Sequence, residues 1–146
     1  MIWTYDFNII NYWINIIWEV LMSERDIKIS AGEVEVTAML NQSSTSDLIW
    51  DSLPIEEPAS IWGDEIYFRT SIEVDEDDAQ EVVDIGDIGY WPPGSAICLF
   101  FGLTPASNGN EIRPASAVNL VGKIQGDSTK LKKVNSGDTI IIKKVD

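Results

Sequence analysis

The stretch Gly86-Asp87-Ile88-Gly89-Tyr90-Trp91-Pro92-Pro93-Gly94-Ser95-Ala96-Ile97-Cys98-Leu99-Phe100-Phe101-Gly102 narrows the folding options of this chain more than any other. Its two arms are aromatic and apolar, the composition that strands favour. Between them, Pro92-Pro93-Gly94 reads as a turn. Proline fixes φ and glycine permits a positive φ. The expectation is a hairpin with Gly94 taking the unusual backbone conformation.

From Asp26 onward the rest of the chain also reads as β. Ile27 and Ile29 alternate with polar neighbours, Ala31-Gly32 turns, and Val34 and Val36 alternate again. Such a pair of runs predicts a second hairpin. Residues 41–54 break the pattern. A Ser/Thr cluster that can cap a helix precedes apolar Leu48, Ile49, Trp50 and Leu53, and Pro54 follows. That order predicts one short helix. Strands are predicted at 59–62 and 65–70 around Gly63-Asp64, at 117–125 and at 138–145. A second short helix is predicted at 128–134, where Leu131 and Val134 are three apart. The total is about eight strands and two helices without a repeat or linker. Eight strands suit a closed barrel, which has no open edges. A two-sheet sandwich fits the same count.

Residues 1–21 differ from everything after them. They contain no Lys or Arg, so they lack the basic start of a signal peptide. Thr4, Asn8, Asn11, Asn15 and Glu19 recur at helical spacing and leave an opposite face of Ile and Trp. An interfacial anchor would normally place basic residues on the polar face. Ile, Asn, Tyr, Phe and Met are encoded by AT-rich codons, and Met22-Ser23-Glu24 resembles an ordinary protein start. The first expectation is therefore that residues 1–21 are an N-terminal extension from a start site placed too early. The second is an amphipathic helix that packs on the barrel or on a partner. The domain proper is expected over residues 22–146.

Charge and residue types exclude several chemistries. Ten basic against 24 acidic residues leave a formal charge of −14. That balance opposes nucleic acid and anionic membrane surfaces and suits an acidic cytoplasmic protein. The chain has no histidine, so no Ser-His-Asp set can form. Cys98 is the sole cysteine. It sits in an apolar run and reads as a buried strand thiol. Residues 73–87 hold eight acids and no base. They lack the glycine and glutamate positions of a calcium loop and read as a solvated segment. The basic residues Lys130, Lys132 and Lys133 read as a solvated helix face. No metal site, cofactor or phosphate-binding loop is expected.

The GD-x-x-YWPPG-x-A-x-C-x-FFG string of residues 86–102 resembles the cyclophilin-like barrel proteins of prokaryotes, a family of small stand-alone domains. Gly63-Asp64-Glu65-Ile66-Tyr67-Phe68, Ile112-Arg113-Pro114-Ala115-Ser116 and Gly137-Asp138-Thr139-Ile140-Ile141-Ile142 share the resemblance. It covers nearly all of residues 26–146. It implies a mainly β fold, a closed eight-stranded barrel with the two short helices capping its ends.

Cyclophilins isomerise Xaa-Pro bonds with an arginine beside an apolar proline pocket. Arg69, after Phe68, resembles that arginine. Strand alternation puts Glu65, Tyr67 and Arg69 on the outer face and Ile66 and Phe68 inside. Cys98 to Phe101 resembles the cyclophilin run ending in two phenylalanines, with Leu99 and Phe101 expected to face outward. Leu99 stands where cyclophilins carry glutamine, and their pocket histidine has no counterpart. The primary expectation is therefore a binding module with an aromatic surface groove for a peptide or small-molecule ligand. Tyr67, Arg69, Trp91, Leu99 and Phe101 are its candidate lining residues. The alternative is a weak peptidyl-prolyl isomerase with Arg69 as electrostatic catalyst. A third reading is a structural subunit that uses the N-terminal helix. Arg69 also reads as a surface residue paired with Glu65 or another acid, and Arg113 as a partner for a carboxylate. The sequence assigns no oligomeric state.

Overall fold

The computed structural model describes residues 7–23 and 25–145. Helix α1 covers Phe7–Ser23, and the barrel elements follow. In chain order they are β1 (Asp26–Ala31), β2 (Val34–Leu40), α2 (Ser44–Ser52), β3 (Ile55–Pro58), β4 (Ser60–Ile61) and β5 (Glu65–Arg69). Then come β6 (Asp87–Trp91), β7 (Ala96–Phe100), β8 (Asn119–Gln125) and β9 (Thr139–Lys144). Single 3-10 helices occupy Pro92–Gly94 and Ser128–Lys133.

The strands form one antiparallel sheet in the order β3-β9-β1-β2-β8-β6-β7-β5-β4. Nine segments replace the expected eight because β3 was not legible as a strand. Yet β3 and β4 are two halves of one run, separated by Ala59 alone. The first half pairs with β9, Ile55 opposite Ile142. The second pairs with β5, Ser60 opposite Tyr67. Between them, the Ala59 N–H donates to Asp138 O and the Gly137 N–H donates to Ala59 O, both at 2.8 Å. One stretch of chain thus brings the two ends of the sheet together into a nearly closed barrel. Pro58, which cannot donate to a ladder, sits at the end of β3, where its missing N–H is tolerated.

Alternation fills the interior. Ile27, Ile29, Val34, Val36, Ile66, Phe68, Ile140 and Ile142 all join the central cluster. Burying such a side chain stabilises by about 1.5–3 kcal/mol. The two short helices contribute Ile49 and Leu131 to the same cluster. Helix α2 starts at an N-cap, the Ser43 hydroxyl accepting from the Ser46 N–H at 3.2 Å. It ends before a cis Leu53-Pro54 bond.

A second, smaller cluster lies outside the barrel wall. Cys98 and Phe100 on the outer face of β7 meet Val118, Val83 and Ile112 from the segments that cross over them. The acidic stretch is part of this cover. Its carboxylates are mostly exposed, but its backbone is held. The Asp77 N–H donates to Asn119 Oδ1 at 2.9 Å, and Asn119 Nδ2 donates to Asp75 O at 3.0 Å. Gln80 bridges to Val118 and Val83 to Ile112. The expected solvated segment is therefore a strap with exposed acids.

Helix α1 includes Asn8, Asn11, Asn15 and Glu19 of the helically spaced set, and Thr4 lies outside the described residues. Ile9, Tyr12, Trp13, Ile17 and Trp18 are exposed. Among the described residues, no helix is long and apolar enough to cross a membrane.

Candidate functional site

The β6–β7 hairpin and the start of β5 build one concave patch on the outer wall. At the hairpin tip the positive φ falls on Ser95, at +48°, and not on Gly94 as the turn chemistry suggested. Gly94 has a different constraint. A Cβ there would lie 2.6 Å from two ring carbons of Trp91, so the indole folds back onto the glycine. Trp91 Nε1 then donates to Ser116 Oγ at 2.7 Å. The ring is held from both sides.

The second wall comes from the turn into β5. Trp62 and Glu65 exchange backbone hydrogen bonds of 2.9 and 3.2 Å, with Gly63 at φ +62° between them. Any side chain on Gly63 would meet Pro105 and the Leu103 carbonyl within 3 Å. The Asp64 N–H donates to Leu103 O, and the Phe101 N–H donates to Asp64 O, both at 2.9 Å. The turn is therefore locked to the loop that covers the patch.

Between these walls is a cavity of about 250 Å³. Trp62, Tyr67 and Trp91 supply aromatic surface, Pro114 and Ala115 come from the covering loop, and Glu65 and Cys98 complete the lining. Glu65 is only 5% exposed, and its Oε1 has no hydrogen-bond partner. Burial pushes its pKa from 4.5 up to about 7, and a hydrogen bond from the Cys98 thiol offsets part of that rise. The Cys98 thiol is itself pushed well above its ordinary range, chiefly by burial and then by the Glu65 charge. It is neutral and shielded, the opposite of an activated nucleophile.

Of the residues expected at the site, Tyr67 and Trp91 line the cavity. Arg69 shares their strand face but is exposed and stands outside the lining set. Among the described residues it forms no ion pair, so the expected pairing with Glu65 does not occur. Arg113 does bind a carboxylate, its Nε and Nη2 donating to Glu111 Oε2 at 3.1 and 2.8 Å.

Leu99 and Phe101 require a correction. Both are buried in the central cluster and face the barrel interior. The reason is register. Leu99 lies opposite Ile66 on β5 and opposite Ile88 on β6, and cross-strand partners share a face. Cys98 and Phe100 are the outward members of the run. Trp62, Glu65, Cys98, Pro114 and Ala115 were not anticipated as lining residues. Glu65 carried a visible signal, its alternation with Tyr67. Its burial under the distant loop that carries Pro114 and Ala115 did not.

With this geometry in view, a comparison with protein families is decisive. The family model described as Cyclophilin-like matches residues 25–143. The chain belongs to the cyclophilin-like family. The matched span contains every residue that lines the cavity. This cyclophilin-like chain is also similar to the hypothetical protein AF2241 from Archaeoglobus fulgidus, known from a solution structure. The two are 41% identical and superpose with a TM-score of 0.72, covering 85% of this chain and 97% of that one. A comparison with curated proteins finds no match.

Proposed function

We propose that this cyclophilin-like domain is a binding module whose outer-wall cavity holds a small molecule or a single residue of a peptide. One observation carries the reading: a buried carboxyl with an unpartnered oxygen lines a cavity walled by three aromatic rings. Concave apolar sites with a few convergent polar groups are the usual form of ligand pockets. Burying a carboxyl with one oxygen unpartnered costs stability, so its place in the wall suits recognition more than packing. The acid-rich composition and single thiol fit work in the cytoplasm.

Recognition is favoured over prolyl isomerisation by the position of Arg69. A catalytic arginine must touch the twisting amide, and Arg69 lies outside the lining set. In a prolyl-isomerisation assay the wild type and Arg69→Ala are expected to match the uncatalysed rate. The direct test of binding is a fragment screen followed by chemical shifts of the tryptophan indoles. Hits should move the Trp62 and Trp91 signals and lose their effect in Trp91→Ala. Hits that all map to other surfaces would overturn the proposal.

A further inference from the structure

We propose that the cavity takes a compact organic cation, an ammonium or methylated ammonium group, with Glu65 as counter-ion and Trp62, Tyr67 and Trp91 as its walls. This rests on the binding-module reading of the same cavity and adds the chemical class of ligand.

The lining itself narrows the choice. An anion would find no Lys or Arg in the lining and would face a chain of net charge −14. The nearby Arg113 is already engaged by Glu111. A purely apolar ligand would fill the cavity and seal the Glu65 carboxyl further from water without compensating it. A cation does two things at once. It neutralises the buried carboxylate, and it meets the negative faces of aromatic rings, which attract positive charge. The cavity volume of about 250 Å³ suits a headgroup of a few heavy atoms rather than a long chain.

The proposal has a signature in pH. The groups that face Glu65 are few. Cys98 comes from β7, Tyr67 from its own strand, and the covering loop presents only Pro114 and Ala115. The neighbouring Asp64 side chain is turned toward Gly102. With the thiol held neutral, Glu65 is the group that titrates near neutrality, at about 7. A cation binds the ionised form, so its affinity rises as pH rises through that value and levels off above it. Well below it, affinity falls about tenfold per pH unit, because each binding event must release one proton. A ligand that accepts a hydrogen bond from the protonated acid shows the opposite slope.

Choline and 3,3-dimethylbutan-1-ol test this directly, because they have the same shape and differ in charge. Each is titrated into the full chain while the Trp62 and Trp91 indole N–H signals are followed. Choline should give a saturable shift and bind at least about tenfold more tightly than the alcohol, the effect expected of a desolvated cation–aromatic contact. Its affinity should rise from pH 6 to pH 8. Glu65→Gln should remove that pH dependence and weaken choline about tenfold, while leaving the alcohol unaffected. Equal binding of the two, or a choline affinity that rises as pH falls, overturns the cation and leaves the binding module standing. No saturable shift by choline also overturns it, and the fragment screen then decides the binding module on its own.

Discussion

Folding makes Glu65 a weaker acid, and this has a measurable consequence for stability. Its pKa rises from 4.5 to about 7, so the folded chain keeps a proton that the unfolded chain has released. The raised value means that stability falls as pH climbs from 4.5 to about 7, and the full loss persists above that. Glu65→Gln should therefore match the wild type near pH 4 and exceed it by about 3 kcal/mol at pH 8. Urea unfolding of both chains across this range checks it, and a difference that does not vary with pH would refute the burial argument. Leu99→Ala should behave in the opposite way. It opens a hole in the barrel core and should cost about 2–5 kcal/mol, with no loss of ligand affinity in the folded protein. These two residues also mark what was legible. In β5 the polar residues Glu65 and Arg69 break the apolar run, so alternation assigned Ile66 and Phe68 to the core correctly. In Ala96–Phe101 every residue is apolar, and alternation carries no information. Only the register with its hairpin partner β6 and with β5, remote in sequence, decides which way Leu99 faces.

At the scale of elements, the β6–β7 hairpin couples the turn to the site. Gly94→Ala puts a methyl group into the Trp91 ring and should destabilise by about 1–3 kcal/mol. It should also move the indole off Ser116, visible as a changed Trp91 N–H shift. A silent substitution would mean that the ring is not seated on the glycine. The hairpin was legible because aromatic arms flank a proline-rich turn. The role of Gly94 was not, because a glycine after two prolines already has a local explanation. Helix α2 was legible from its Ser43 cap and the apolar residues that follow. Strand β3 was not. Ile55-Glu56-Glu57-Pro58 offers one apolar residue and a proline, and its strand conformation comes from its partner β9. The lining from Pro114 and Ala115 was hidden for a similar reason, since loop packing leaves no periodic trace.

At the scale of the whole molecule, the described side chains of α1 lie outside the barrel core. Its described apolar side chains from Ile9 to Trp18 are largely exposed, and the central cluster begins at Ile27. A chain starting at Met22 should keep its unfolding cooperativity and lose well under ~1 kcal/mol, since removing a segment outside the core costs little. A loss of several kcal/mol in equilibrium melting would place the helix in the folding unit. The closure of the barrel through residues 55–61 has a different consequence, one of timing. The ring is complete only when β9 lies between β1 and β3. On the ribosome, β9 is made after the eight other strands of the barrel. Until it emerges, β1 and β3 each present an unpaired edge, and such edges invite pairing with other chains. Long-range contacts of this kind also form slowly. The nascent protein therefore passes through a sticky interval whose length is set by translation, and chaperone capture should peak just before Thr139–Lys144 clears the exit tunnel.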